Sequence, residues 1–204
     1  DQIFKRMPLV LATTCELRQP GDYKALSVMG KPVLICRTEE GQVKAYENSC
    51  AHRGAQVVEN GRGNAKRFVC PYHAWSYDIQ GALKHVLREG DFGEVDRGCN
   101  GLIELPCLER AGLIWVTLDS RSNLSIESFL CEYDEVLTHF DLRNWYFFDD
   151  RVLRGPNWKI AYDGYLDFYH IPILHRNTFG ADTPPQAIYY QWGPHQRVSS
   201  PDTI

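Results

Sequence analysis

Two Cys/His pairs constrain this chain more than anything else in it: Cys50-x-His52 and Cys70-x-x-His73, separated by the residues from Arg53 to Val69. Each pair offers one thiolate and one imidazole. Around them lie short β-rich runs punctuated by Gly, Asn and Pro, namely Val33–Arg37, Val43–Tyr46, Arg67–Cys70 and Leu113–Leu118. Such runs predict antiparallel β structure from Lys31 to Leu118. Gly41, in Glu39-Glu40-Gly41-Gln42, and Gly81, in Asp78-Ile79-Gln80-Gly81, supply the positive φ that tight hairpins use.

Four ligands of this kind can close a tetrahedral zinc site or hold a [2Fe-2S] cluster whose second iron takes two His in place of two Cys. Structural zinc usually draws a Cys pair from one turn, whereas here each loop contributes a ligand for each iron, so the spacing favours the cluster. A small zinc-binding interaction module remains a competing reading. The seven cysteines are an odd number in 204 residues, which argues for reduced thiols. Cys15, Cys36, Cys99, Cys107 and Cys131 have no His close in sequence and read as small buried apolar groups.

Composition narrows the function classes. With 22 Lys+Arg against 26 Asp+Glu the net charge is -4, no footprint for nucleic acid or an anionic membrane, and a small-molecule partner is the default. Apolar stretches such as Pro8–Ala12 fall far short of the roughly 20 residues a bilayer demands. The opening Asp1-Gln2-Ile3-Phe4-Lys5-Arg6 is no signal peptide and reads as a trimmed or internal start, so a cytoplasmic protein is expected.

Past a polar joint at Asp119–Asn123 the period changes from strand to helix. Phe129, Leu130, Tyr133, Val136, Leu137 and Phe140 predict one amphipathic helix capped by Ser125. Trp145–Phe148 and Arg151–Leu153 read as a strand, Asn157 to about His170 as a second helix with Pro172 obstructing continuation, and Tyr189-Tyr190 as a strand. On that second helix Asp167 and His170, three apart, would share a face, and a break at Pro172 would swing His175 back toward His170. Two His and a carboxylate are the triad of non-haem Fe(II) oxygenases. Paired His near a helix end are also commonly satisfied by hydrogen bonds alone. Asp163 reads as an exposed helix carboxylate, and Trp158, Tyr165, Phe168 and Tyr169 as core or pocket wall.

Cys50-Ala51-His52-Arg53-Gly54-Ala55 and Cys70-Pro71-Tyr72-His73-Ala74-Trp75 resemble the ligand loops of Rieske domains almost position for position. Asn157-Trp158-Lys159 followed by Asp167-x-x-His170-x(4)-His175 resembles the iron motif of Rieske non-haem iron oxygenase large subunits, the aromatic-ring-hydroxylating dioxygenase family. The likeness extends to Pro20-Gly21-Asp22-Tyr23. It implies an α+β chain: an antiparallel β Rieske [2Fe-2S] domain at 8–119, then at 120–204 the amino-terminal part of an α+β helix-grip (START-like) catalytic domain.

The resemblance further implies that Cys50 and Cys70 bind one iron of the cluster, His52 and His73 the other, and that His170 and His175 bind a mononuclear Fe(II). Asp167 takes the family's bridging role between that iron and a neighbouring subunit's cluster. The implied activity is that of a terminal oxygenase which hydroxylates, dihydroxylates or oxidatively demethylates a small organic substrate with O₂. Electrons come from NAD(P)H through a reductase, with or without a ferredoxin, and the assembly is a homotrimer or three alpha with three beta subunits. The alternative is a Rieske ferredoxin-type electron carrier without catalytic iron. One departure stands out: the family's third iron ligand is a downstream carboxylate, and the only carboxylates after His175 are Asp182 and Asp202, neither in the expected context. The sequence is therefore expected to be a fragment lacking that ligand.

Overall fold

A computed structural model describes residues 3–201. The first half is built from eleven strands, numbered in chain order: β1 (Leu9–Thr13), β2 (Asp22–Val28), β3 (Lys31–Arg37), β4 (Val43–Glu47), β5 (Gly61–Asn64), β6 (Arg67–Val69), β7 (Ser76–Asp78), β8 (Leu83–His85), β9 (Glu104–Leu105), β10 (Cys107–Arg110) and β11 (Leu113–Val116). They form three antiparallel sheets, ordered β5-β2-β3-β4-β9, β6-β7-β8 and β1-β11-β10.

The logic of this half is readable in β3. Val33-Leu34-Ile35-Cys36 is apolar without alternation, as a strand covered on both faces must be. Leu34 and Cys36 join one buried cluster with Tyr46, Phe68, Trp75 and Tyr77. Val33 and Ile35 join the other, with Leu11, Leu105, Ile114 and Val116. The five-stranded sheet is thus the middle layer, and the loops carrying Cys50 and Cys70 reach into the first core. The expected hairpins are present: Gly41 (φ +80°) turns β3 into β4 and Gly81 (φ +78°) turns β7 into β8.

The later part holds α1 (Ile126–Leu130), α2 (Tyr133–Thr138), α3 (Trp158–Leu166), α4 (Ile171–Leu174), α5 (Arg176–Phe179), and the hairpin β12 (Ile188–Trp192) with β13 (His195–Ser199). Three expectations are corrected here. The single helix over 125–140 is two, because Cys131 (φ +48°) and Glu132 (φ +67°) break the backbone between them, although Ser125 does cap the first through Ser128 N at 3.2 Å. Residues 145–153 form no strand: no neighbouring backbone pairs with them, and Val152 and Leu153 are exposed. The helix from Asn157 stops at Leu166, since Asp167 turns extended (φ −95°, ψ 118°). Asn157 caps its start by accepting from Lys159 N at 3.0 Å.

Contacts divide the chain into two compact units. The first runs to Phe129 and includes Asp134–Phe147; the second comprises Leu130–Tyr133 and Phe148 onward. No helix among the described residues is long and apolar enough to cross a membrane.

Candidate metal centres

The first centre is assembled by two loops with one backbone design. In each, the Cys amide donates to the carbonyl five residues on, Cys50 N to Ala55 O and Cys70 N to Trp75 O, both at 2.8 Å. In each, the residue four after the Cys donates back to the Cys carbonyl, Gly54 N at 2.8 Å and Ala74 N at 3.0 Å. That residue sits in the left-handed region, at φ +72° for Gly54 and φ +56° for Ala74. The buried Asn48 amide pins the return of the first loop, donating to Val58 O at 2.7 Å and accepting from Val57 N and Val58 N at 3.1 and 3.0 Å.

This design sorts the four side chains by chemistry. The Cys70 thiol is near enough to the Cys50 thiol to help push it up, and the imidazoles of His52 and His73 meet edge to face with centroids 4.7 Å apart. Thiol is beside thiol and imidazole beside imidazole. Burial pushes the Cys50 thiol up, and a bond from the Tyr77 hydroxyl opposes that push. The same hydroxyl accepts from Ala51 N at 3.1 Å and lies 3.2 Å from Cys50 Sγ, where it can donate to a thiolate.

His52 carries the observation that tests whether a metal group belongs here. Its Nδ1 is buried and has no hydrogen-bond partner. Desolvation, with the neighbouring His73 and Arg53 adding to it, holds this imidazole below the ordinary His range. A buried imidazole nitrogen that no protein group completes is one a metal can complete. The donor set of two thiols and two imidazoles, paired like with like, fits a [2Fe-2S] group that binds two Cys on one iron and two His on the other.

The second centre lies within the second unit. Asp167 and His170 meet, but not across a helix face: Asp167 ends α3 in extended conformation and His170 caps α4. Asp167 Oδ2 accepts from His170 Nδ1 at 3.0 Å while Oδ1 accepts from Tyr169 N at 2.7 Å. The His170 bond, then the Tyr169 amide, holds the Asp167 carboxyl below the usual carboxylate range. Pro172 does not break the chain here; it occupies the first turn of α4, where a missing amide hydrogen costs nothing. That one turn brings His175 back to His170, ring centroids 5.3 Å apart. With His170 Nδ1 committed to Asp167, its Nε2 is the nitrogen left for a metal.

Both imidazoles open onto a cavity of about 490 Å³ lined also by Tyr165, Asp167, Phe168 and Phe179. Trp158 and Tyr169 are outside that lining, and Asp163 is exposed on α3 as expected. Among the described residues no three His, Cys, Asp or Glu side chains gather around one ion-sized point, so Asp182 does not complete this pair; Asp202 lies outside the described residues. Of the remaining thiols Cys36 is buried, Cys15 and Cys107 are partly so, and Cys99 and Cys131 are exposed, contrary to expectation. Both exposed thiols sit in polar loops, Cys99 beside Asp96 and Cys131 next to Glu132.

Sequence reasoning missed Tyr77 and gave Trp75 no role. Trp75 and Ile79, flanking β7, and Tyr77 within it are the large buried side chains there, and their spacing of two was the available signal. Phe92, which packs against His52, had no local signal at all.

Residues 7–95 match the Rieske [2Fe-2S] domain, and residues 142–203 match the ring hydroxylating alpha subunit catalytic domain. An iron–sulfur electron-transfer domain joined to an oxygenase catalytic domain is the class these define. The chain is 28% identical over 176 residues to the glycine betaine monooxygenase oxygenase subunit of Chromohalobacter salexigens, covering 85% of this chain and 39% of that protein. It is 32% identical over 183 residues to the anthranilate 1,2-dioxygenase large subunit of Burkholderia cepacia, covering 81% and 41%. A crystal structure of the quaternary ammonium Rieske monooxygenase CntA superposes with a TM-score of 0.83 at 26% identity, over 93% of this chain and 53% of that one. The chain thus carries a Rieske [2Fe-2S] domain and part of a ring hydroxylating alpha subunit catalytic domain, and these relatives are oxygenase subunits. It spans about 40% of the length of these two relatives.

Proposed function

We propose that this protein acts as the terminal oxygenase component of a Rieske system, inserting oxygen from O₂ into a small organic substrate with electrons drawn from NAD(P)H through a reductase. One observation carries the reading: a like-with-like Cys/Cys and His/His arrangement in the first unit accompanies an Asp–His–His constellation on a cavity in the second. A carrier of the ferredoxin type has use for the first alone.

In this reading Cys50, Cys70, His52 and His73 hold the cluster, and His170 with His175 hold the mononuclear iron, which when bound supplies the open positions for O₂ chemistry. The chain's own residues do the rest. Tyr77 directs a hydrogen bond at Cys50, stabilising negative charge on that sulfur. Asp167 fixes the tautomer of His170 and keeps its Nε2 free. Each Asp167 oxygen retains a lone pair, and the side chain is half exposed, which suits a further bond to the partner subunit's His73 and hence a ring of head-to-tail protomers. Tyr165, Phe168 and Phe179 give the cavity apolar walls that suit the carbon skeleton of a substrate.

The test is metal and sulfide content of the full-length protein together with NADH-driven O₂ uptake. Three irons and two sulfides per chain are expected, and His170→Ala should drop iron to two with sulfide unchanged. A wild type with only two irons would make it a carrier; zinc without sulfide would sink both. Asp167→Asn is expected to keep all metals while slowing single-turnover reoxidation of the reduced cluster at least tenfold, a rise of about 1.4 kcal/mol in the barrier.

A further inference from the structure

The two imidazoles of the first centre live in unlike surroundings. His73 has Tyr72 tilted against it at 3.9 Å, a ring that is itself 61% exposed. His52 is boxed in. Trp75 stacks on it with centroids 4.9 Å apart and planes within 11°, and Phe92 stands edge-on to both rings at 5.5 and 5.8 Å. Trp75 comes from the other ligand loop, whose turn its own carbonyl closes, so the stack ties the two loops together. Only 5% of Trp75 is exposed, and its Nε1 is buried without a partner.

That orphan is the informative atom. An indole N–H only donates. Left unmatched in a core it is destabilising, and native interiors rarely leave one so unless a group completes it. The aromatic box around it is otherwise well formed, and neither Cys50 nor Cys70 Sγ is in bonding reach of it. An acceptor must therefore come with whatever the two loops hold.

We propose that Trp75 is a positioning and tuning residue for the cluster: its ring fixes the plane of His52, and its N–H donates to an inorganic sulfur of the bound [2Fe-2S] group. This rests on the assignment of Cys50, His52, Cys70 and His73 as cluster ligands. The added electron makes the sulfurs more negative, so a donor favours the reduced state and holds the midpoint potential up. Stacking acts through orientation instead, because a planar wall on one face and an edge from Phe92 on another leave the imidazole one orientation.

The test uses the full-length holoprotein, with iron and sulfide measured first; a wild type without sulfide would overturn the ligand assignment itself. Given a loaded wild type, Trp75→Phe keeps a stacked ring and removes the donor. It is expected to retain iron and sulfide and to shift the midpoint to lower potential, whereas Phe92→Leu should leave the midpoint near that of the wild type and broaden the electron paramagnetic resonance lines. An unchanged midpoint in loaded Trp75→Phe overturns the donor role. Pulsed resonance on wild-type protein grown with ¹⁵N-indole-labelled tryptophan gives a second reading that needs no variant. A hyperfine coupling from an indole nitrogen to the reduced cluster is expected, and its absence means that the N–H meets some other acceptor.

Discussion

At the scale of single residues, the ligand loops place different demands on equivalent positions. Position four after the Cys is left-handed in both, yet it is Gly54 in one loop and Ala74 in the other. A Cβ in that region costs roughly 1–2 kcal/mol, while glycine gives back about 0.4–1 kcal/mol through the freer unfolded chain. Ala74→Gly should therefore be neutral to stabilising by about 0.5 kcal/mol, read as a small rise in urea midpoint with the cluster retained. A clear loss of stability would mean that the Ala74 methyl makes contacts worth more than the backbone strain. The ligands themselves were legible because each pair sits within four residues of sequence, where spacing is geometry. Tyr77 was not, because its hydroxyl reaches Cys50 across 27 positions and only the fold brings them together. The same holds for Phe92 over His52.

Among elements, the hairpin joining β7 to β8 has the tightest tolerance around the first centre. Gly81 lies at φ +78°, and a Cβ built there would fall 2.5 Å from Cε1 of Tyr46, a fully buried ring in the core shared with Trp75 and Tyr77. Its carbonyl also accepts from Leu102 N at 2.8 Å, so the turn cannot move aside freely. Gly81→Ala is expected to lose about 3 kcal/mol, combining left-handed strain with overpacking, and to lower the yield of cluster-loaded protein. A variant within 0.5 kcal/mol of wild type by urea unfolding would contradict the packing described here. Hairpins of this kind were readable because Gly41 and Gly81 mark them. Helix boundaries were less so: the apolar rhythm of Phe129, Leu130, Tyr133, Val136 and Leu137 runs on through Cys131 and Glu132, since side-chain period carries no record of a backbone turned to positive φ. Likewise the aromatic run at 145–148 looks like a strand by composition, but pairing is a property of the partner.

Across the whole first unit, stability is bounded by groups titrating in opposite senses. Glu16, 3% exposed in its side chain, ties β1, β2 and β5 together through Lys24 Nζ and Arg62 Nε, both at 2.7 Å, and the Thr13 amide at 2.7 Å. Burial pushes its carboxyl up, but the bonds from Lys24, Thr13 and Arg62 outweigh burial and hold it below its ordinary 4.5. A depressed carboxyl contributes stability that is present above 4.5 and is lost as pH falls through the folded value, because there the unfolded chain binds the proton first. Cys36 works the other way. Burial pushes its thiol from 9.0 up to about 12, and it donates to Ile79 O at 3.2 Å. Above pH 9.0 the unfolded thiol releases a proton that the folded one keeps, so stability declines from there toward pH 12. Urea midpoints should thus be level from about pH 5 to 9 and fall on both sides. Glu16→Gln should cost about 2 kcal/mol at neutral pH, since two cations lose their partner, and should make the acid limb shallower, with Glu109, held down by Arg37 and Thr14, keeping the rest. Cys36→Ala should make the alkaline limb shallower and leave the acid limb alone; it does not remove it, because the Cys107 thiol, also pushed by burial from 9.0 to about 12, and the buried Tyr46 phenol still resist ionisation there. If both variants kept the wild-type slopes, the limits of stability would have to lie with other groups, and the buried network around Glu16 would be a matter of packing rather than of charge.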